Sequence, residues 1–209
     1  MNVQQLGIIL MKYFRKMGFL ILNGAFLISV NLVMAMQEPR DLYDFSHQET
    51  SGVWMIVNDG VMGGISESRL SLDQQGFLVF EGRVSLNYGG GFASVRSILN
   101  RLDADPYDGS FIRFKGDGKR YQLRLRQGDR MDGVAYFRHF ETKIGEWEEV
   151  FLPFHSFQAS YRGRRLPDYP KLDTSRISQL GLMISDKQEG NFRLEVQRIA
   201  LYLNEHFQT

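Results

Sequence analysis

The sequence contains no cysteine, which excludes disulfides, thiolate metal sites, iron–sulfur ligation and cysteine nucleophiles together. Charge of one sign is not in excess either, since 25 Lys plus Arg stand against 24 Asp plus Glu. So balanced a chain lacks the broad basic surface that neutralises nucleic-acid phosphates, and nucleic acid is not an expected partner. Histidine is scarce, and His47, His139, His155 and His206 form no H-E-x-x-H or H-x-x-x-H spacing. No metal is therefore assigned.

Catalytic signatures are missing in the same way. The segment Gly64-Ile65-Ser66-Glu67-Ser68 lacks the second glycine of a nucleophile elbow, which excludes the usual hydrolase serine. Gly60-Val61-Met62-Gly63-Gly64 and Gly89-Gly90-Gly91 match neither the dinucleotide fingerprint nor a phosphate loop, so no cofactor is expected. Glu146, Glu148 and Glu149 surround Trp147, but only a convergent pair in a cleft would make them glycosidase carboxylates. Asp59, Asp117 and Asp186 sit among turn residues, where a carboxylate caps backbone N–H groups. The expectation is a protein that is not an enzyme.

What is present is material for one globular domain: 209 residues, 43% hydrophobic and 23% charged, enough apolar mass for a core and too little charge for disorder. Lys12, Arg15 and Lys16 precede an apolar run over 17–36, after which Gln37, Glu38, Pro39 and Arg40 change the composition abruptly. This is the order of a signal peptide, with Val33 and Ala35 placed for cleavage after Ala35. The run is also long enough to be an uncleaved anchor helix. Either reading sends the body outward, into a periplasm or cell envelope, with membrane contact only through this segment. A start at Met11, which would put Lys12 directly after the initiator, is a further possibility. The expected organisation is a leader or anchor over 1–35, a linker over 36–41, the domain over 42–204 and a tail over 205–209.

The body reads as strands. Short alternating or apolar runs bounded by Gly, Asp and Asn occur over 53–57, 68–72, 77–84, 92–97, 109–115, 120–127, 134–141, 148–153, 179–185 and 192–203, and runs of this kind suit a β-sandwich. Within 120–127, Tyr121, Leu123 and Leu125 alternate with Gln122, Arg124 and Arg126. One face should enter a core while the other presents guanidinium groups. The stretch 161–170 reads as a basic, proline-containing loop.

Six pieces, in order, resemble the complex I intermediate-associated protein 30 family. They are WMIVNDGVMGGIS over 54–66, GGFASVR over 90–96, KGDGKRY over 115–121, Trp147 with LPF over 152–154, RGR over 162–164, and QLGLMISDKQ over 179–188. The resemblance implies an all-β, galactose-binding-like jelly-roll β-sandwich, which agrees with the strand reading. It also implies a chaperone-like assembly factor of NADH:ubiquinone oxidoreductase (complex I), hence a protein partner such as a membrane complex or assembly intermediate. The alternative is a carbohydrate-binding module-like protein with a glycan ligand.

Candidate contacts follow from both readings. Asp59 and Met62 lie at a glycine-rich loop tip, where Met62 would offer an adaptable apolar contact. Arg96, Arg124 and Arg138 would line one sheet face as a polar groove if they converge. Tyr161 and Arg162 belong to the basic loop, and Tyr121, Tyr136, Trp147 and Tyr161 are the aromatics available for stacking, although sandwich aromatics are more often core.

Overall fold

The computed structural model describes residues 39–46, 53–128, 130 and 132–203. The expected leader or anchor, its cleavage after Ala35, the start at Met11, His47, His206 and the 205–209 tail lie outside the described residues.

Two antiparallel sheets face each other. The first joins β3 (Glu67–Leu72), β4 (Leu78–Val84), β13 (Gly190–Tyr202), β6 (Gly109–Lys115) and β9 (Trp147–Pro153) in that order, with β1 (Arg40–Asp44) also pairing β13. The second runs β11 (Arg164–Arg165), β10 (Gln158–Tyr161), β8 (Ala135–Glu141), β7 (Arg120–Gln127), β12 (Ile177–Ile184), β5 (Ala93–Leu102) and β2 (Trp54–Ile56). The ten runs expected from the sequence are all strands here, within a few residues except at the longer end of β5. Of the three additional strands, β1 begins at Arg40, inside the stretch expected to be linker.

Alternation builds the core. Tyr121, Leu123 and Leu125 of β7 and Leu180, Leu182 and Ile184 of β12 point inward, all at most 1% exposed, as a period of two requires. They meet Phe80, Ile112, Phe114, Leu194 and Val196 of the other sheet in one cluster. Phe114 touches Phe140 across the interface at a centroid distance of 4.8 Å. In β13 the inward positions shift from Phe192, Leu194 and Val196 to Ile199 and Leu201, because the register slips by one between Val196 and Arg198. That bulge lets two residues three apart both face the core. At one end Tyr43 and Phe45 stack and Trp54 packs tilted against both, and the Tyr43 hydroxyl bonds Ser97 Oγ between the sheets.

The outer face of the first sheet is a ladder of paired charges. Glu81 accepts from Arg69 Nε at 2.7 Å and from Arg193 Nη1 at 2.5 Å, while Glu195 takes Arg193 Nε at 2.9 Å and Lys115 Nζ at 2.6 Å. Burial would raise the Glu81 carboxyl, but the hydrogen bonds from Arg69 and Arg193 hold it below the usual carboxylate range. Glu149 pairs with Arg113 on this face, whereas Glu146 and Glu148 meet Lys143 and Glu148, set opposite Phe114, lies on the other side of β9 from Trp147 and Glu149, so the carboxylates around Trp147 are each paired with a cation. Among the described residues no helix is long and apolar enough to cross a membrane.

Candidate binding groove

The outer face of the second sheet is different. A groove of about 430 Å³ lies over β5, β12 and β7 and continues into a second of about 390 Å³; Phe92, Arg124, Ser160, Gly163 and Met183 line both. Its floor follows from strand register, since residues directly paired across strands share a face. Arg96, Gly181, Arg124, Phe137 and Gln158 form one row across five strands. Ser94, Met183, Gln122 and His139 form the row on one side, and Ile98, Gln179, Arg126 and Ala135 the row on the other.

Loops make the walls. The 59–66 loop supplies Val61 and Met62, which are 73% and 58% exposed, and it is fixed by the fully buried Asp59. Its Oδ1 accepts the Ser66 N–H at 2.9 Å, and its Oδ2 accepts the Gly91 and Phe92 N–H groups at 2.7 and 3.2 Å together with the Ser66 hydroxyl. Burial alone would raise this carboxyl, but those donors hold it below its ordinary value. Gly64 and Gly90 are the residues that fit around it: a Cβ at Gly64 would fall 2.4 Å from Asp59 Cγ, and one at Gly90 2.7 Å from Asp59 Oδ2. Asp59 is therefore the clasp joining two loops rather than a contact at their tip.

The opposite wall is a hairpin. Tyr161 pairs with Arg164, leaving Arg162 and Gly163 as a two-residue turn with φ of 48° and 78°, the double positive φ of a type I′ connection. The stretch expected to be loop from 161 thus contains the end of β10 and all of β11. Tyr161 and Arg162 stand on its tip, with the guanidinium 5.4 Å from the ring centroid.

Five of the expected contacts, Met62, Arg96, Arg124, Tyr161 and Arg162, line this one groove. Arg138 does not, because the register sets it opposite Leu123 while Arg124 faces Phe137, and it emerges on the other side of the sheet. Arg126, Arg165 and Lys187 complete the cationic lining. Arg126 was legible as the next outward position after Arg124. Of the aromatics, Tyr121 and Tyr136 are core at 0% and 1% exposure, and Trp147 lies on the first sheet under Lys115 and Arg113. Of these four candidates Tyr161 alone reaches the groove, where Phe92 and Phe137 also line it.

The electrostatics are those of cations held in place. Arg96 Nη1 meets Asp132 Oδ1 at 3.2 Å. Arg124 donates to Gln122 Oε1 at 2.6 Å and to Ser160 Oγ at 3.3 Å, with its guanidinium 5.7 Å from the Phe137 centroid. Burial first, then the charge of Arg96, pushes Arg124 below the ordinary guanidinium value, and burial with Arg96 and Arg124 does the same to Arg126. At the far end Asp186 Oδ2 lies 2.8 Å from His139 Nε2 and accepts from Arg120 Nη2 at 3.2 Å. Among the described residues no three His, Cys, Asp or Glu side chains gather to hold a metal. The arrangement suits non-covalent recognition of a negatively charged or hydrogen-bond-accepting ligand.

These features define a jelly-roll-type β-sandwich built like carbohydrate-binding modules. The chain is similar to the family 11 carbohydrate-binding module from Clostridium thermocellum in complex with a mixed-linked tetrasaccharide, with a TM-score of 0.61 and 17% identity, covering 79% of this chain and 95% of that one. It is also similar to the family 30 module of a cellulosomal cellulase from the same organism, with a TM-score of 0.53 and 14% identity over 80% and 99% of the two chains. At these identities the likeness is one of fold.

Residues 43–196 match the complex I intermediate-associated protein 30 family, and the chain belongs to it. Its relatives include the mitochondrial complex I intermediate-associated protein 30 of Mus musculus, 25% identical over 193 residues, covering 80% of this chain and 57% of that protein. The probable Caenorhabditis elegans counterpart is 28% identical over 185 residues, covering 79% and 54%. The chain spans about half the length of these relatives. Both are named mitochondrial, which overturns the expectation of export to a periplasm or envelope. A basic flank before an apolar run describes how a segment meets a membrane and does not encode which compartment it enters.

Proposed function

We propose that the chain is a non-catalytic binding protein, assembly-factor-like for complex I, that holds a protein partner in the groove of the second sheet. The observation that carries this reading is the convergence of Met62, Arg96, Arg124, Tyr161 and Arg162, distant in sequence, on one cleft. The family supports a complex I intermediate as the partner. A glycan ligand is the weaker reading here despite the modules of similar fold. Sugar rings need flat aromatic faces, and among the candidate aromatics three serve the core or the opposite sheet.

Site-directed photocrosslinking tests this. A photoreactive residue at Met62 should capture a subunit of a complex I intermediate from membrane extracts, identified by mass spectrometry. The same residue at Arg69, on the outer face of the first sheet, should not. Equal capture at both positions, or none at Met62, would overturn the assignment of the groove.

A further inference from the structure

The groove is cationic beyond what its own carboxylates answer. Among the described residues Arg96, Arg124, Arg126, Arg162, Arg165 and Lys187 line it, against Asp132 and Asp186. The contrast with the first sheet is sharp, since there Arg69, Arg193 and Lys115 each reach a carboxylate. Arg126 is only 6% exposed, and among the described residues its Nε meets no acceptor. Arg124 donates to the neutral oxygens of Gln122 and Ser160. Burying a guanidinium without a counter-charge is unfavourable, and a bound anion removes that penalty.

Spacing narrows the anion. Arg124 and Arg126 lie two residues apart on β7 and share its outer face, so their Cα atoms are separated by about 7 Å. That is also the repeat between alternate side chains of an extended peptide. Gly181, between Arg96 and Arg124 in their row, puts no side chain on the groove floor, and a Cβ there would fall 2.8 Å from the Val95 carbonyl oxygen. Val61, Met62, Phe92 and Met183 offer apolar wall beside the charges, and methionine adapts to irregular side chains.

We infer that the groove takes an extended acidic peptide segment, with carboxylates two residues apart seated on Arg124 and Arg126. This rests on the reading of the groove as the partner site and names what that partner presents. Guanidinium–carboxylate pairs of this kind are charge-assisted, and their contribution falls with salt wherever they stay near solvent.

Fluorescence anisotropy with a labelled alternating Glu-Ala octapeptide reads the inference directly. It should bind the folded chain, weaken as salt rises, and exceed a Gln-Ala octapeptide by at least about tenfold. Arg124→Gln and Arg126→Gln should each lose about tenfold, while Arg69→Gln changes nothing. If Arg126→Gln lacks a cooperative melt, Arg124→Gln carries the comparison. Equal binding of the Gln-Ala peptide, or tighter binding of polygalacturonate or oligouridylate, would overturn the peptide assignment. Persistent crosslinking at Met62 in both arginine variants would discard the acidic chemistry and keep the groove. Loss of specific crosslinking at Met62 in the unaltered chain would discard the groove itself.

Discussion

Asp59 shows how one side chain can determine a site without touching a ligand. Its two oxygens satisfy the Ser66, Gly91 and Phe92 amides and the Ser66 hydroxyl in a fully buried position, so removing them strands several donors at once. Asp59→Ala should therefore lower stability by about 3 kcal/mol, at the upper end of single hydrogen-bonding losses. Urea unfolding should show a lower midpoint at an unchanged slope. Asp59→Asn should behave nearly as badly, because its NH₂ would face donors. A change under about 0.5 kcal/mol in either variant, within the range of ordinary surface substitutions, would refute the clasp. The carboxylate was visible in the sequence as a turn residue; its burial was not, because the partners at Gly91 and Phe92 lie more than thirty positions away.

At the scale of elements, strands were legible where alternation was long and one-sided. In β7 every second residue is apolar and the intervening ones are Gln and Arg, so both the strand and its faces could be read. β8 was ambiguous, because Tyr136 and Phe140 lie on one face and Phe137 on the other. Local pattern could not say which face carried Arg138, and only pairing with β7 decides it. β10 and β11 were hidden by brevity, at four and two residues: β11 and Tyr161 at the end of β10 were read as loop, and the rest of β10 was not read as a strand. Their turn gives a prediction. Gly163 has φ of 78°, a conformation that costs a side-chain-bearing residue about 1–2 kcal/mol, more when β-branched. Gly163→Val should speed amide exchange at Tyr161 and Arg164 while the centres of β7 and β12 keep their protection. Uniformly faster exchange would mean that the hairpin is not an independent wall of the groove.

The whole molecule separates two kinds of surface over one core: a sheet whose outer charges form a ladder of ion pairs and a sheet whose outer face carries a groove lined by more cations than carboxylates among the described residues. Acid stability should report the first together with the Asp59 clasp. The folded-state carboxyls of Asp59 and Glu81 lie below their ordinary values, so over the window between folded and unfolded values the unfolded chain binds protons that the native chain refuses. Stability therefore rises with pH across that window. The contribution is complete above the ordinary carboxylate range, declines as pH falls through it, and is gone once pH passes below the folded values. Denaturant midpoints measured from neutrality downward should fall in that range, and Glu81→Gln should flatten the descent by removing one of the contributing carboxyls. An identical acid slope in Glu81→Gln would mean that the bonds from Arg69 and Arg193 do not stabilise the ionised carboxylate. The charge ladder would then be a solvated surface feature that leaves the sandwich to its apolar core.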